Sequence, residues 1–382
     1  VEDLEANPDS PTGRMLAHPL PHTGTPQRRV KLNDPELKTV VFRGVHARNL
    51  QIDNITVPLQ RFTVVTGVSG SGKTTFCREV LFENLSRRLK DAQAPLAGTD
   101  QLTGFENVGR VLEVDQTPIG KNSRSCPATY IGIMTAIRDL YAATNEAQAR
   151  GYDASRFSFN KAVGACPVCA GQGLRTVEMN FLPDVKVLCE ACAGKRFNPE
   201  TLEVLWRGKS IGDVLEMEID EAVDFFASMP SIAYPLKLMQ DVGLGYLTLG
   251  QPSPTLSGGE AQRLKLVTEL AKVRTDGSFA ARAPHTLYVL DEPTVGLHMT
   301  DVDRLSKVLS RLVDAGSTVV VIEHNLDIAA DADWIIDLGP EGGAKGGKVV
   351  AQGSPKMVAR KNTATGIVLR AFLAEHKPVK SA

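Results

Sequence analysis

The segment Gly67-Val68-Ser69-Gly70-Ser71-Gly72-Lys73-Thr74 follows the apolar run Phe62-Thr63-Val64-Val65-Thr66, and that order leaves few folds open. A loop of this pattern needs a strand leading in and a helix leading out, so that backbone N–H groups converge on phosphate. Gly67, Gly70 and Gly72 let the backbone wrap an anion. Lys73 is suited to neutralising outer phosphates, Thr74 Oγ1 to ligating Mg²⁺, and Ser69 and Thr75 complete the cradle. The exit helix is expected from about Lys73 to Leu89. Further strand-like runs at Thr39–Phe42, Val111–Val114, Thr286–Leu290, Ser317–Ile322 and Trp334–Leu338 alternate with helical text, as in an α/β sheet.

Two later motifs narrow the class. Leu287-Tyr288-Val289-Leu290-Asp291-Glu292-Pro293 is an apolar strand ending in paired acids. Asp291 suits a water-mediated hold on Mg²⁺, and Glu292 suits polarising an attacking water. Thr255-Leu256-Ser257-Gly258-Gly259-Glu260 places a hydroxyl and free N–H groups at a helix start, a second phosphate-binding feature. A phosphate loop, this signature and the acidic strand end, in that order, resemble an ATP-binding cassette (ABC) ATPase. In that fold Ser257, Gly258 and Gly259 cap the nucleotide of a facing cassette, so turnover needs two cassettes. Gln116 and His324 each follow a strand and are expected to sense Mg²⁺ with the lytic water and to contact the γ-phosphate, respectively.

Lys73 and Ser257 lie 184 residues apart, far more than a compact cassette needs. The insertion carries Cys166-x2-Cys169 and Cys189-x2-Cys192, separated by 19 residues. That spacing suits a tetrahedral four-cysteine Zn²⁺ site of two knuckles, with a structural role because four thiolates leave no open position. Reduced, unpaired thiols are the alternative. Gly171, Gly173 and Gly194 permit the tight turns, and a hairpin is expected within Val177–Val187, with Leu182-Pro183-Asp184 near its tip. Cys77 and Cys126 have no partner pattern.

With 43 Lys+Arg against 44 Asp+Glu, the chain has no global attraction for polyanions. Residues 121–210, however, hold 12 basic against 8 acidic side chains, either a solvated face or a local DNA-binding patch. No apolar run is long enough for a membrane span and no signal-peptide pattern opens the chain, so the expectation is a cytoplasmic protein without a membrane partner. Residues 1–36 read as an exposed arm or linker.

With these pieces placed, residues 38–372 resemble the second half of the UvrA family, the damage-recognition ATPases of the bacterial ABC excinuclease. The specific text is Asp115-Gln116-Thr117-Pro118-Ile119-Gly120, Arg124-Ser125-Cys126-Pro127-Ala128-Thr129-Tyr130 and Arg156-Phe157-Ser158-Phe159-Asn160. Phe181-Leu182-Pro183-Asp184, Val242-Gly243-Leu244-Gly245-Tyr246, Ile322-Glu323-His324-Asn325-Leu326-Asp327 and Ile336-Asp337-Leu338-Gly339-Pro340-Glu341-Gly342-Gly343 match as well. Cys126 departs from the family's usual Asn, a change expected to alter a local hydrogen bond.

The resemblance implies an α/β, ABC-type P-loop NTPase core with an inserted, mainly helical signature domain carrying a four-cysteine zinc module. Expected bounds are a tail of a preceding cassette over 1–37, core over 38–120 and 285–374, insertion over 121–284 with its zinc module at 155–200, and a tail over 375–382. Thr12-Gly13-Arg14-Met15-Leu16 echoes Thr365-Gly366-Ile367-Val368-Leu369, so the chain is expected to be the second half of a tandem duplication. The implied function is ATP-dependent recognition of damaged duplex DNA, loading of UvrB, and ATP hydrolysis without nuclease action. The alternatives are a related protein for drug self-resistance and the ATPase component of a transporter. Lys121, Arg124, Arg138, Arg150, Arg156 and Lys161 are the candidates for DNA phosphate contacts. Phe157 and Phe159 suit one face of a core strand in preference to base stacking.

Overall fold

The computed structural model describes residues 2–7, 9–32, 34–120, 122–177, 185–272 and 285–377. The chain divides into two compact units, Val1–Asp115 with Lys272–Ala382, and Gln116–Ala271.

The first unit is built on a six-stranded sheet in the order Lys348–Gly353, Trp334–Gly339, Phe62–Gly67, Thr318–Ile322, Thr286–Asp291, Arg110–Val114. All neighbours are parallel except the Lys348–Gly353 edge. The central runs are buried along their length, which explains the absence of polar alternation in Val319-Val320-Val321-Ile322 and Leu287-Tyr288-Val289-Leu290. Five parallel strands put five carboxyl ends on one edge, where α/β sheets present ligand-binding loops. The phosphate loop leaves that edge beside Glu323–Asn325 and Asp291–Glu292.

A second, antiparallel sheet joins Ile52–Pro58, Thr39–Val45 and Thr99–Thr103. The phosphate-loop helix shares one apolar core with both sheets. Phe76, Val80, Leu81 and Leu85 join Val40, Phe42, Ile55 and Val57 from the antiparallel sheet and Val65, Val320 and Ile336 from the parallel one. Phe42 and Phe76 meet edge to face at 6.2 Å, each buried ring contributing ~1.5–3 kcal/mol by area alone. The expected helix is present, with one correction. It opens in α geometry at Lys73 and Thr74, becomes a π-helix over Thr75–Phe82, where the Glu83 N–H reaches back five residues to the Arg78 carbonyl, and returns to α-helix over Glu83–Arg88.

The described amino-terminal residues are exposed over much of their length, as their composition suggests, but they are pinned to the first unit at particular side chains. Pro11–Ala17 forms a short helix capped by Ser10. Downstream, His22 is 5% exposed, its Nε2 2.9 Å from Asp327 Oδ1 and its Nδ1 2.9 Å from Asp331 Oδ1. Arg28 reaches the fully buried Asp333 through its backbone N–H (2.9 Å) and its guanidinium (3.0 Å). The segment is strapped to the first unit by charge pairing with acids some 300 positions away.

The second unit is mainly helical. Pro230–Asp241 packs against Ile133–Ala142, Ile219–Phe225 and Gly258–Leu270. Phe157 and Phe159 are buried, as expected of core residues, but they sit in turns and not on a strand. Phe157 lies 5.7 Å from the Tyr141 ring, and Phe159 meets Phe197 edge to face at 6.0 Å. At Cys126 the sulfur lies 3.6 Å from Thr129 Oγ1, while the Cys126 N–H donates to that hydroxyl at 2.9 Å. A weak sulfur acceptor therefore occupies the capping position of the Pro127–Tyr130 helix.

Candidate nucleotide loop cluster and metal centre

Gly67, Gly70 and Gly72 have φ of +137°, +74° and +100°, a region that favours glycine. At Gly67 a Cβ would stand 2.0 Å from the Leu338 carbonyl oxygen, and at Gly72 it would stand 2.4 Å from Leu50. The loop is braced from outside by residues 342–347. The Gly343 N–H donates to the Gly70 carbonyl (3.0 Å), the Gly347 N–H to that of Ser71 (3.2 Å), and Asn49 Nδ2 bridges the Gly70 and Gly343 carbonyls at 3.1 Å. Sequence reasoning did not mark this brace; its signal is the glycine density of Gly342-Gly343 and Gly346-Gly347.

Lys73 is buried and donates to the Gly67 and Val68 carbonyls at 3.0 Å. Burial lowers its pKa, while the charges of Glu292 and Asp291 oppose the fall. Burial and then the adjacent Glu292 carboxylate raise that of Asp291. The buried Ser71 Oγ has no hydrogen-bond partner among the described residues, a polar group pointing to an oxyanion ligand. Ser69 and Thr74 are exposed and Thr75 is half-buried. This donor set fits a nucleotide phosphate chain.

Glu292 follows the Thr286–Asp291 strand with φ +42°, and its N–H donates to the Ile322 carbonyl at 3.0 Å. His324 Nε2 stands 3.6 Å from Glu292 Oε1, with both side chains substantially exposed. Between them lies Glu323, 2% exposed, accepting backbone N–H groups from Thr294 (2.8 Å), His324 (2.9 Å) and Asn325 (3.1 Å). The structure therefore brings the phosphate loop, Asp291, Glu292 and His324 together within the first unit. Gln116 and Ser257–Gly259 belong to the second unit.

Within that unit Ser257 caps the Gly258–Leu270 helix. Its N–H donates to Glu260 Oε2 at 2.7 Å, and Ser257 Oγ accepts from the Glu260 N–H at 3.3 Å, a reciprocal capping box. Tyr246 OH holds the other oxygen of Glu260 at 2.5 Å. Gln116 packs against Gly258, where a Cβ would come 3.0 Å from Gln116 Cβ.

Cys166, Cys169, Cys189 and Cys192 form one buried cluster, their sulfurs all within 4.8 Å of one another. Cys166 and Cys189 are 4.0 Å apart, Cys169 and Cys192 3.7 Å, and all four are free thiols. A tetrahedron with Zn–S near ~2.3 Å has edges of about 3.8 Å, so the cage fits zinc. The Gly173 N–H donates to Cys169 Sγ at 3.3 Å, and Gly171, Gly173 and Gly194 have positive φ, as expected of knuckle turns. The antiparallel strands Leu174–Val177 and Val185–Leu188 rise from the knuckles; Leu182-Pro183-Asp184, and the whole Phe181–Asp184 match, lie outside the described residues. Arg196, buried and unmarked by sequence reasoning, ties this module to its unit through the Ser123 (2.8 Å) and Gly250 (2.6 Å) carbonyls.

The basic candidates differ in circumstance. Arg150 pairs with Glu146 (2.5 Å) and Glu203 (2.6 Å). Arg156 binds Thr201 (2.9 Å) and Glu200 (3.4 Å) and lies over the Tyr152 ring. Arg124 donates to the Ala170 carbonyl, Arg138 to Thr135, and Lys161 is exposed. Lys121 lies outside the described residues. Arg175 and Lys186, exposed on the zinc hairpin, were missed because neither falls in a motif. No helix among the described residues is long and apolar enough to cross a membrane.

No protein-family model matches the chain. UvrABC system protein A of Thermus thermophilus is 53% identical over 374 residues, which is 98% of this chain and 38% of that protein. The same protein of Aquifex aeolicus is 50% identical, over 98% of this chain and 39% of its own length. The crystal structure of UvrA2 from Deinococcus radiodurans superposes with a TM-score of 0.83 at 45% identity, covering 97% of this chain and 43% of that one. The chain thus spans less than half the length of these relatives, and over that span it belongs to the UvrABC system protein A (UvrA) family.

Proposed function

We propose that the chain serves ATP-dependent recognition of damaged duplex DNA in nucleotide excision repair, as an ABC-type ATPase that loads UvrB. The observation that carries this reading is the extent of the match, 98% of the chain at 53% identity, which includes the inserted unit and its cysteine cage. The ATPase motifs alone are shared across cassettes; the insertion is not. The core is assigned to 38–120 and 285–374 and the insertion to 121–284.

ATP with Mg²⁺ supplies the scissile phosphoanhydride and the divalent charge. Gly67, Ser69, Gly70, Gly72, Lys73, Thr74 and Thr75 hold the phosphates and metal, with Asp291 a metal partner through water. Glu292 orients the attacking water, His324 reads the γ-phosphate side, and Gln116 senses Mg²⁺ with the lytic water. Ser257, Gly258 and Gly259 cap the nucleotide of a facing cassette, from the same protein or from a second copy. Zn²⁺ in the four-cysteine cage is structural.

DNA contact falls to the inserted unit, with Arg124, Arg138, Lys161 and Lys121 the first candidates, joined by Arg175 and Lys186. Arg150 and Arg156 already pair with carboxylates and contribute less. Reading damage without fixed sequence favours backbone contacts and duplex deformability over base readout. The test is binding to matched damaged and undamaged duplexes, with and without ATP, over a salt series. A preference for the damaged duplex that declines with salt is expected. Equal affinity for both duplexes in every nucleotide condition would overturn the reading.

A further inference from the structure

We propose that Glu323 is a positioning residue for ATP hydrolysis, clamping the loop that carries Glu292 to the loop that carries His324. The inference rests on the ATPase reading above and goes beyond it in naming what sets the geometry of the water-activating group.

Two independent observations converge on it. The first is the bonding of Glu323 itself. A carboxylate with 2% exposure must be satisfied internally, and here three backbone N–H groups do so. One oxygen takes the Thr294 N–H, two residues past Glu292; the other takes the His324 and Asn325 N–H groups. A single side chain thus spans the ends of two adjacent parallel strands. Its own N–H is anchored to the Val65 carbonyl at 3.3 Å, on the strand that feeds the phosphate loop. The second is the backbone of Glu292. A non-glycine residue at φ +42° is held there at a cost of ~1–3 kcal/mol and persists only where its surroundings over-determine it. On one side the Glu292 N–H is tied to the Ile322 carbonyl; on the other, Thr294 is tied to Glu323. Remove the carboxylate and the Glu292 N–H bond, the turn bond from the Val295 N–H to the Glu292 carbonyl (3.2 Å) and the contact with His324 stay, but the tie from Thr294 to the neighbouring strand end is lost.

The Glu323 carboxylate is buried and both its oxygens accept backbone N–H groups, so it acts through Glu292 and His324 and not on substrate. The chemistry requires a carboxylate, because an amide in the same place turns an NH2 group toward at least one backbone donor. Glu323→Gln is nearly isosteric and keeps the packing while breaking the clamp on one side; Glu323→Ala removes it entirely.

The experiment compares wild type, Glu323→Gln, Glu323→Ala and Lys73→Ala. It measures equilibrium binding of Mg·ATP, turnover at saturating ATP, and backbone amide exchange in peptides covering 291–297 and 323–327. For Glu323→Gln the expected result is Mg·ATP affinity within ~3-fold of wild type, turnover lower by ~100-fold, as for a reacting group displaced by about an ångström, and faster exchange confined to those two peptides. Lys73→Ala instead loses affinity with those peptides unchanged. Wild-type turnover in Glu323→Gln, or unchanged exchange in both Glu323 variants, would overturn the clamp. Wild-type turnover no higher than that of Lys73→Ala would sink the ATPase reading instead, and the exchange contrast would still decide whether Glu323 joins the two loops.

Discussion

Raising the pH should release the amino-terminal strap, and His22 sets the size of the effect. Its two ring nitrogens each stand 2.9 Å from a carboxylate oxygen. A neutral imidazole has one donor and one acceptor, so satisfying both aspartates requires the imidazolium. Burial alone would push the pKa down, but hydrogen bonds and charge from Asp327 and Asp331 overrule it and raise the value from 6.5 to about 9. At ~1.4 kcal/mol for each tenfold change in proton affinity, this amounts to about 3 kcal/mol of linked stability. Because the folded-state value is raised, the contribution is complete below pH ~6.5 and disappears as the pH climbs through ~9. The assay is urea unfolding at pH 7 and pH 10, followed by Trp334 fluorescence in a Trp206→Phe background, in which Trp334 is the remaining tryptophan and reports the first unit. His22→Gln serves as the reference, since every other titrating group is common to both proteins. The protein with His22 intact should lose about 2–3 kcal/mol more than the His22→Gln variant between the two pH values. Identical pH dependence in the two would refute the charged bridge.

Two further outcomes bear on the site. Lys73→Ala should weaken nucleotide binding by at least ~10-fold, because the loop loses its one ammonium, and an unchanged affinity for Mg·ATP measured by calorimetry would refute the phosphate-loop assignment. Cys189→Ser with Cys192→Ser should abolish stoichiometric zinc and expose the module to protease while leaving Mg·ATP affinity intact, since the cysteines and the phosphate loop lie in different units; zinc content of wild type and variant is the measurement, and its absence from wild type would remove the cage assignment.

The five parallel strands of the core sheet were legible because Val, Ile and Leu runs without alternation have few other homes, and the phosphate loop, the paired acids and His324 each follow such a run; the antiparallel edge Lys348–Gly353, only partly buried, was not marked. What escaped was set by distance or by winding. Residues 1–36 look like a linker because they are rich in proline with scattered asparagine, aspartate and glycine, yet His22 finds the partly exposed Asp331 and Arg28 the buried Asp333. No local pattern encodes that pairing. The π turn over Thr75–Phe82 has the same apolar periodicity as an α-helix and no separate signature. Phe157 and Phe159 read correctly as core and incorrectly as a strand, because a spacing of two also arises in consecutive turns. Glu323 stood beside a marked histidine in the text, but only the fold shows that its carboxylate turns inward.

The insertion between Arg110–Val114 and Thr286–Asp291 also governs how the chain assembles. These strands are sheet neighbours, with Arg110 opposite Thr286, yet they are separated by more than 170 residues of chain. An ordinary crossover between parallel strands takes a dozen residues or so, and closing the longer loop as free chain costs about 2 kcal/mol more in entropy. That extra cost shrinks once the intervening residues are compact. Closure of that edge is therefore expected late in folding, after the cysteine-bearing unit has gathered its own helices and local contacts.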